Sequence, residues 1–384
     1  MKQLARPTST TYLTRSNLLH FSTKSGREEV VLASEGVDEG NEATSSYLDY
    51  GILISSFTEG MTPSTSEFFL YSLARLLTMD VIQTTQDEIE ESAKYSPCQG
   101  PSIDLLNKLE RGDDLMQNKE KTRKEKTDLM LEYMKGEDLE LKVLYIPTAM
   151  YALRTDSKNS SGKQRQRARA DGKKRRNQLV EHIKDMFVAS CDDEDQPSLN
   201  VLAVTLDFDD GSIKQPSGSE ETSKFPQDGK EALTTWQPHV VYLEGGNTFW
   251  LLHCMEKGKE GWMQLLKDAC SCQGNQEVME QRRPALYIGK SAGAIVAGKY
   301  VETATWKGWD DPTVVPGKES YENWKGDVGL NVAGVASFFP HMSDDWIDLI
   351  DRKKGTLPAD SDLYSLQEWD ACCIEGSQYE IYVS

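Results

Sequence analysis

A serine flanked by glycines is the residue of this chain best suited to act as a nucleophile. Ser291 stands at the centre of segment 289–293, with the sequence GKSAG, between a predicted strand over 285–288 and the small-residue segment 294–298. In the pattern G-x-S-x-G, a sharp strand-to-helix turn raises the hydroxyl above the strand end, and the glycines avoid steric clash. The start of the following helix offers backbone N–H groups to a developing oxyanion. A tight turn made only for packing is the alternative interpretation.

A second glycine-rich turn follows another predicted strand. Gly245, Gly246 and Asn247 come after the strand over 239–243 and before a predicted helix over 248–255. Two glycines let the backbone approach a ligand closely, and Asn is a good residue to cap a helix. Because parallel strands end at the same edge of a sheet, this turn is expected beside Ser291. It is therefore a candidate second source of N–H groups for an oxyanion, although a plain strand-to-helix turn would have the same composition.

A hydroxyl nucleophile needs a base, and His341 is the best placed of the five histidines. It ends the apolar, strand-like segment 335–340, where a side chain can face a site at the strand end. The acid that orients the imidazole is expected between Ser291 and His341. The candidates are Glu302, Asp310, Asp311, Glu319, Glu322 and Asp327. The pair Asp310 and Asp311 follows two tryptophans, and an ionic hydrogen bond is strong in such a partly apolar setting.

The elements that must position these residues alternate between strand and helix. Short apolar strands are predicted at 50–56, 141–146, 199–206, 239–243 and 285–288, with amphipathic helices between them. This alternation is typical of an α/β fold, a mostly parallel sheet covered by helices on both faces. Three polar insertions are predicted near 84–139, 155–178 and 208–235, the first of them as solvated helix. The basic run 163–176 within the second suggests a solvated helix start rather than a nuclear-localisation or RNA-binding segment.

Composition excludes several classes of protein. The 384 residues carry a net charge of −19, so phosphate would be repelled by most of the surface and no nucleic acid partner is expected. No window approaches the ~18 consecutive apolar residues of a membrane span, which predicts a soluble protein that does not enter membranes. The seven cysteines form no C-x-x-C pair, which argues against a zinc site and for reduced thiols inside a cell.

The N-terminal segment has its own composition. Residues 1–27 contain no Asp or Glu but several Lys and Arg, and 28–46 are acidic and suggest a linker. The basic, hydroxyl-rich start is typical of a transit peptide to a mitochondrion or plastid, and a disordered tail of a cytoplasmic protein is the other interpretation. We therefore expect residues 1–46 to be a disordered extension.

Three blocks, taken in order, resemble a known family. Segments 245–249 (GGNTF), 287–294 (YIGKSAGA) and 329–341 (GLN…FPH) are similar to the serine peptidases that include aspartyl dipeptidase (dipeptidase E) and cyanophycinase. The resemblance implies a flavodoxin-like, class I glutamine-amidotransferase-like fold in one catalytic domain over 47–384. It implies Ser291 as nucleophile, His341 as base and, from an Asp-x-Pro segment, Asp310 as acid with Asp311 in reserve.

The same resemblance implies an activity. In acyl transfer, N–H groups near Gly246 and Ala292 would hold the oxyanion, with no metal or organic cofactor. The expected substrate is a small peptide, in particular a dipeptide with N-terminal aspartate, although the nearest basic residues after His341 are Arg352, Lys353 and Lys354. Three alternatives stay open: a catalytically silent scaffold on the same fold, a cyanophycinase-like hydrolase of another amide, and an α/β-hydrolase lipase or esterase.

Overall fold

The computed structural model describes most of the chain from residue 48 onward and two short stretches before it. The described residues are 19–22, 28–33, 48–56, 61–92, 122–154, 157–190, 197–216, 222–258, 260–271, 283–317, 328–359, 361–376 and 378–382. Side chains are not described for 19–22, 28–33, 85–92 and 378–382.

One large sheet forms the centre of the described structure. Its strands are β1 (Leu19–Ser22), β2 (Glu28–Ala33), β3 (Tyr50–Ile54), β4 (Asp138–Ile146), β5 (Ser198–Asp207), β6 (Ser212–Lys214), β7 (Val240–Leu243), β8 (Leu286–Lys290), β11 (Ala371–Glu375) and β12 (Gln378–Tyr382). The spatial order is β1-β2-β12-β11-β3-β8-β7-β4-β5-β6. The five central strands β3, β8, β7, β4 and β5 are parallel to one another, and the strands outside them pair antiparallel. The predicted α/β class with a parallel sheet is confirmed.

Helices cover both faces of this sheet. They are α1 (Pro63–Ser92), α2 (Arg123–Tyr133), α3 (Ser161–Ala189), α4 (Gly229–Leu233), α5 (Thr248–Lys257), α6 (Trp262–Cys270), α7 (Ala292–Ala297), α8 (Thr303–Trp306) and α9 (Ile347–Lys353). Among the described residues, no helix has both the length and the apolar character required to cross a membrane.

Two apolar cores, one on each face, hold these layers together. Strands β3 and β7 are buried at every position, as expected for parallel strands covered on both sides. Alternate residues of a strand therefore enter different cores: Leu144 and Leu243 pack with α5 and α7, whereas Tyr145 and Tyr242 pack with α1, α2 and α3. The nucleophile turn and the glycine-rich turn both leave the sheet at the carboxyl edge of this arrangement.

The first predicted insertion is more deeply anchored than expected. Its described part contains the end of α1 and all of α2, and Met130 and Met134 are fully buried against the core beneath α1. The prediction of a solvated helix over 84–139 is corrected for this part, because two methionines one turn apart are enough to dock a short helix. Residues 93–121 lie outside the described residues. In the second insertion, 161–178 form the first half of α3.

Two strands lie in the segment predicted to be a disordered extension. β1 and β2 pair antiparallel with each other, and β2 pairs with β12 at the edge of the sheet. The expectation of disorder therefore does not hold for these two stretches, and the other residues of 1–46 lie outside the described residues. Two further strands, β9 (Ala336–Phe339) and β10 (Asp362–Ser365), pair parallel in a separate two-stranded sheet. This small sheet, which the sequence did not predict, positions part of the candidate site.

Candidate active site

Ser291 lies in the strand-to-helix turn predicted from the sequence. It connects β8 to α7 with φ 49° and ψ −104°, a conformation that is costly for a residue with a side chain. The turn is tight: a Cβ on Gly289 would lie 2.6 Å from Gly293 O, and one on Gly293 would lie 2.5 Å from Leu243 O. Both glycines are therefore required by contacts with backbone, and the turn holds the Ser291 hydroxyl at the carboxyl edge of the sheet.

His341 reaches Ser291 from the small sheet. Its Nε2 lies 3.0 Å from Ser291 Oγ. The residue follows β9 and Pro340, and its backbone has φ 56°, so it too is held in a conformation that is uncommon for a residue with a side chain. Ser55 Oγ accepts a hydrogen bond from His341 N at 2.7 Å, and Lys307 Nζ donates to His341 O at 2.6 Å. These two contacts fix the backbone that presents the imidazole.

The acid beside His341 is Glu368. Its Oε1 lies 2.6 Å from His341 Nδ1. Because a carboxylate only accepts hydrogen bonds, this contact places the ring proton on Nδ1 and leaves Nε2 to accept the Ser291 proton. Glu368 follows β10, and the pairing of Ser365 with Phe339 brings the ends of β10 and β9 together. The sequence analysis expected the acid between Ser291 and His341 and therefore did not include Glu368, which lies 27 residues after the histidine.

The predicted pairing of Asp310 with His341 is corrected, because Glu368 is the carboxylate bonded to His341 Nδ1 and Asp310 bonds with Thr248. Its Oδ2 accepts from Thr248 N at 3.1 Å and also from Thr248 Oγ1, at the start of α5. The carboxylate of the reserve candidate Asp311 bonds within its own turn, where it accepts a hydrogen bond from Thr313 N at 2.9 Å. The backbone between Trp309 and Thr313 thus directs the Asp310 carboxylate to the start of α5 and the Asp311 carboxylate back to Thr313. Asp310 nevertheless lines the cavity that contains Ser291 and His341.

Burial raises the pKa of Asp310 to about 6, against the opposing effects of the Thr248 hydrogen bonds and Lys307. The folded protein therefore binds this proton more tightly than the unfolded chain does, and the resulting stabilisation is lost as pH rises through about 6. We expect the free energy of unfolding of wild type, relative to Asp310→Asn, to fall between about pH 4 and about pH 6 and then stay level. Urea unfolding at each pH measures this difference, with the exposed Asp345→Asn as control. A constant difference would contradict the raised pKa.

Lys307 lines this cavity, and no pattern in the sequence predicted a cation there. Its Nζ donates to the carbonyls of Pro340 and His341 and lies 4.2 Å from the Phe339 ring centroid and 4.5 Å from that of Trp309. Burial lowers its pKa to about 8, while Glu368 and Asp310 oppose that shift. The ammonium is therefore held by two neutral carbonyls and by aromatic faces, with the carboxylates of Glu368 and Asp310 close enough to favour its charged form.

The glycine-rich turn lies against Ser291 as predicted. A Cβ on Gly245 would lie 3.0 Å from Ser291 Cβ, and one on Gly246, where φ is 147°, would lie 2.4 Å from Ala149 O. Asn247 caps α5 by accepting from Trp250 N at 2.9 Å, and its Nδ2 donates to Asp311 O at 3.0 Å. The structure therefore brings the predicted residues 245–247 beside the nucleophile and the backbone of Ala292.

At Gly245, the addition of one methyl group is expected to lower activity without affecting folding. Gly245 has an ordinary φ, but the added Cβ of Gly245→Ala would displace Ser291 by a few tenths of an ångström. We expect kcat to fall by about tenfold or more with little change in melting temperature, because small misplacements of reacting atoms are costly. Steady-state kinetics and thermal unfolding check this, with the exposed Gly162→Ala as control. An unchanged kcat would show that the turn does not constrain Ser291.

Among the described residues, no group of three or more His, Cys, Asp and Glu side chains is close enough together to hold a metal ion.

Comparisons with known proteins agree with the sequence blocks. Residues 221–379 match the family model of peptidase family S51. A comparison with curated proteins finds no match. Among solved structures, a putative peptidase E protein from Listeria monocytogenes EGD-e is 14% identical over 88% of this chain and 100% of that chain, with a TM-score of 0.36. A peptidase from an acI-B1 actinobacterium is 14% identical over 88% of this chain and 89% of that chain, with a TM-score of 0.37. The match over residues 221–379 makes this part of the chain similar to peptidase family S51.

Proposed function

We propose that this serine peptidase hydrolyses short peptides through Ser291, His341 and Glu368, and that dipeptides with N-terminal aspartate are its substrates. The observation that carries the proposal is the continuous contact from Ser291 Oγ to His341 Nε2 and from His341 Nδ1 to Glu368 Oε1. A hydroxyl, an imidazole and a carboxylate in this order are the arrangement needed for acyl transfer by a serine.

The proposed reaction has two halves. His341 Nε2 accepts the Ser291 proton as Oγ attacks the scissile carbonyl carbon, and the N–H groups of Gly246 and Ala292 stabilise the resulting oxyanion. When the C–N bond breaks, His341 donates its proton to the leaving amine and an acyl-enzyme remains. Water then attacks the ester with His341 as base again, which releases the acid and restores the serine. Glu368 keeps the imidazole in the required tautomer and stabilises it while it is charged. Each step uses the chain and water alone.

Opposite charges in the cavity support an acidic N-terminal residue. An Asp-Xaa dipeptide brings an ammonium group and a side-chain carboxylate next to its scissile bond. The cavity beside Ser291 is lined by Lys307 and Asp310, which offer one partner for each. Because both are partly withdrawn from water, an ion pair with substrate would be stronger there than at an exposed surface. Lys307 is therefore the cation that we propose for the acidic side chain, whereas Lys353 and Lys354 are exposed and Arg352 bonds within its own helix.

A matched panel of dipeptides tests this function. Purified protein is assayed with Asp-Xaa, Glu-Xaa and neutral dipeptides, and Lys307→Met is compared with wild type. We expect Asp-Xaa to be turned over best, and we expect the variant to raise KM for Asp-Xaa by about tenfold or more, with a smaller change for neutral dipeptides. Equal turnover of neutral dipeptides would overturn the acidic specificity. Absence of turnover together with absence of Ser291 labelling by a fluorophosphonate would favour a scaffold on this fold.

A further inference from the structure

A buried carboxylate lies beneath the two turns of the site, on the α1–α3 side of the sheet. Glu244 directly follows β7 and is only 2% exposed. Its Oε1 accepts from Gly245 N at 3.0 Å, from Lys290 Nζ at 2.8 Å and from Arg175 Nη1 at 3.2 Å. Its Oε2 accepts from Tyr145 Oη at 2.8 Å. The mechanism above uses none of these contacts.

Two of the four partners belong to the segments that face the scissile carbonyl. Gly245 begins the glycine-rich turn, and Lys290 immediately precedes Ser291. The strands that lead to them are parallel neighbours, with Leu243 opposite Gly289. Beyond those residues the ladder between the strands ends, since Glu244 N donates to Ile146 O and Ser291 N donates to Ile54 O, each on its outer neighbour. The Glu244 carboxylate therefore links the two turns at the point where the ladder between their strands ends.

The surroundings of Glu244 favour its role as an acceptor. A buried carboxylate is costly unless cations or donors surround it, and Lys290, with an 18% exposed side chain, supplies the closest charge. Burial and the nearby carboxylate raise the pKa of Tyr145 well above its usual range, so this hydroxyl keeps the proton that it donates. Arg175 is 46% exposed and reaches Glu244 from a cleft of about 860 Å³. Its contact touches neither turn.

We propose that Glu244 is a positioning residue that, through Lys290 and Gly245, sets the separation of the N–H groups of Gly246 and Ala292. The proposal rests on the hydrolytic function proposed above. Since an oxyanion exists only after attack on the carbonyl, a change in this separation affects the transition state more than the bound substrate. Loss of Glu244 should therefore appear in kcat and spare KM.

Four variants test the proposal. Glu244→Met removes the acceptor at similar size, and Glu244→Gln, which keeps one oxygen, replaces it if the first variant does not fold. The double variant Glu244→Met/Lys290→Met removes both charges. Arg175→Met is the matched control, since it removes a partner of the same carboxylate that lies on the cleft side. Kinetics with Asp-Xaa, melting temperature and hydrogen–deuterium exchange of segments 244–247 and 289–293 are measured for each.

A positioning role predicts that Glu244→Met lowers kcat by about 10- to 100-fold with KM within about twofold. Exchange should become faster in both segments. The double variant should recover melting temperature without recovering kcat, because the unpaired charge is gone while the link is still missing. Arg175→Met should keep kcat within about threefold of wild type, as removal of an exposed ion-pair partner usually does.

Two kinetic results would overturn the inference: recovery of kcat together with melting temperature in the double variant, or equal effects of Arg175→Met and Glu244→Met on kcat. The exchange measurement separates this inference from the proposed function. If wild type neither hydrolyses the dipeptides nor reacts with a fluorophosphonate, the hydrolytic function fails. Faster exchange in both segments of Glu244→Met, with unchanged exchange in Arg175→Met, would still support the link, and unchanged exchange in Glu244→Met would refute it.

Discussion

Replacement of Ser291 by alanine is expected to reduce hydrolysis of an Asp-Xaa dipeptide by roughly 10⁴-fold or more while the protein remains folded. In the proposed reaction the Ser291 hydroxyl oxygen forms the acyl-enzyme, and this oxygen lies 3.0 Å from His341 Nε2. The positive φ of position 291 is borne by alanine as by serine, so the change adds no backbone strain. We expect the free energy of unfolding to stay within about 1 kcal/mol of wild type.

The measurement is the single-turnover rate together with the melting temperature. Ser72→Ala is a suitable control, because this buried serine donates only within α1, from Oγ to Phe68 O, on the opposite face of the sheet. It should keep full activity. If Ser291→Ala keeps even a tenth of the wild-type rate, Ser291 is not the nucleophile, and the contact with His341 serves another purpose.

Replacement of Glu368 by glutamine is expected to lower kcat by roughly 10³- to 10⁴-fold. Glutamine keeps the size of the side chain, but its amide can donate to His341 Nδ1, which favours the tautomer that cannot accept the Ser291 proton. The loss should appear in kcat, since the contact is with the base rather than with substrate.

Asp310→Asn is the matched comparison, because Asp310 was the acid predicted from the sequence. Its carboxylate contacts Thr248 rather than His341, so we expect its effect chiefly in KM, with a kcat loss at least tenfold smaller than that of Glu368→Gln. Burst-phase kinetics with an activated ester separate acylation from binding in both variants. If Asp310→Asn loses more kcat than Glu368→Gln, then Glu368 is not the acid that orients His341 during the reaction.

The features that the sequence predicted correctly are those whose geometry is local. The turn around Ser291 is formed by the backbone dihedral angles of consecutive residues. It therefore requires a strand, a glycine, the serine and a second glycine in this order in the sequence. The turn 245–247 and the position of His341 after an apolar strand could also be predicted, because each depends on consecutive residues. The parallel sheet followed from the alternation of short apolar strands with helices, since parallel strands need crossover connections.

The partners of these residues were decided by contacts between distant parts of the chain. Glu368 reaches His341 because β10 pairs with β9, and neither the strand pairing nor its register is encoded near the histidine. Asp310, which lies between Ser291 and His341 as predicted for the acid, instead accepts a hydrogen bond from Thr248 at the start of α5. Lys307 and Glu244 acquire their roles from the carbonyls, rings and cations that fold around them.

The sequence by itself thus predicted the candidate nucleophile, the candidate base and the edge of the sheet at which the serine lies, since short-range backbone geometry shapes the segments that carry them. Only the tertiary structure decided which carboxylate contacts His341, which cation lines the cavity beside Ser291 and which buried carboxylate contacts both turns. A hydrogen bond depends on the distance and angle between two particular atoms, and that geometry is set only once long-range packing has placed the elements that carry them.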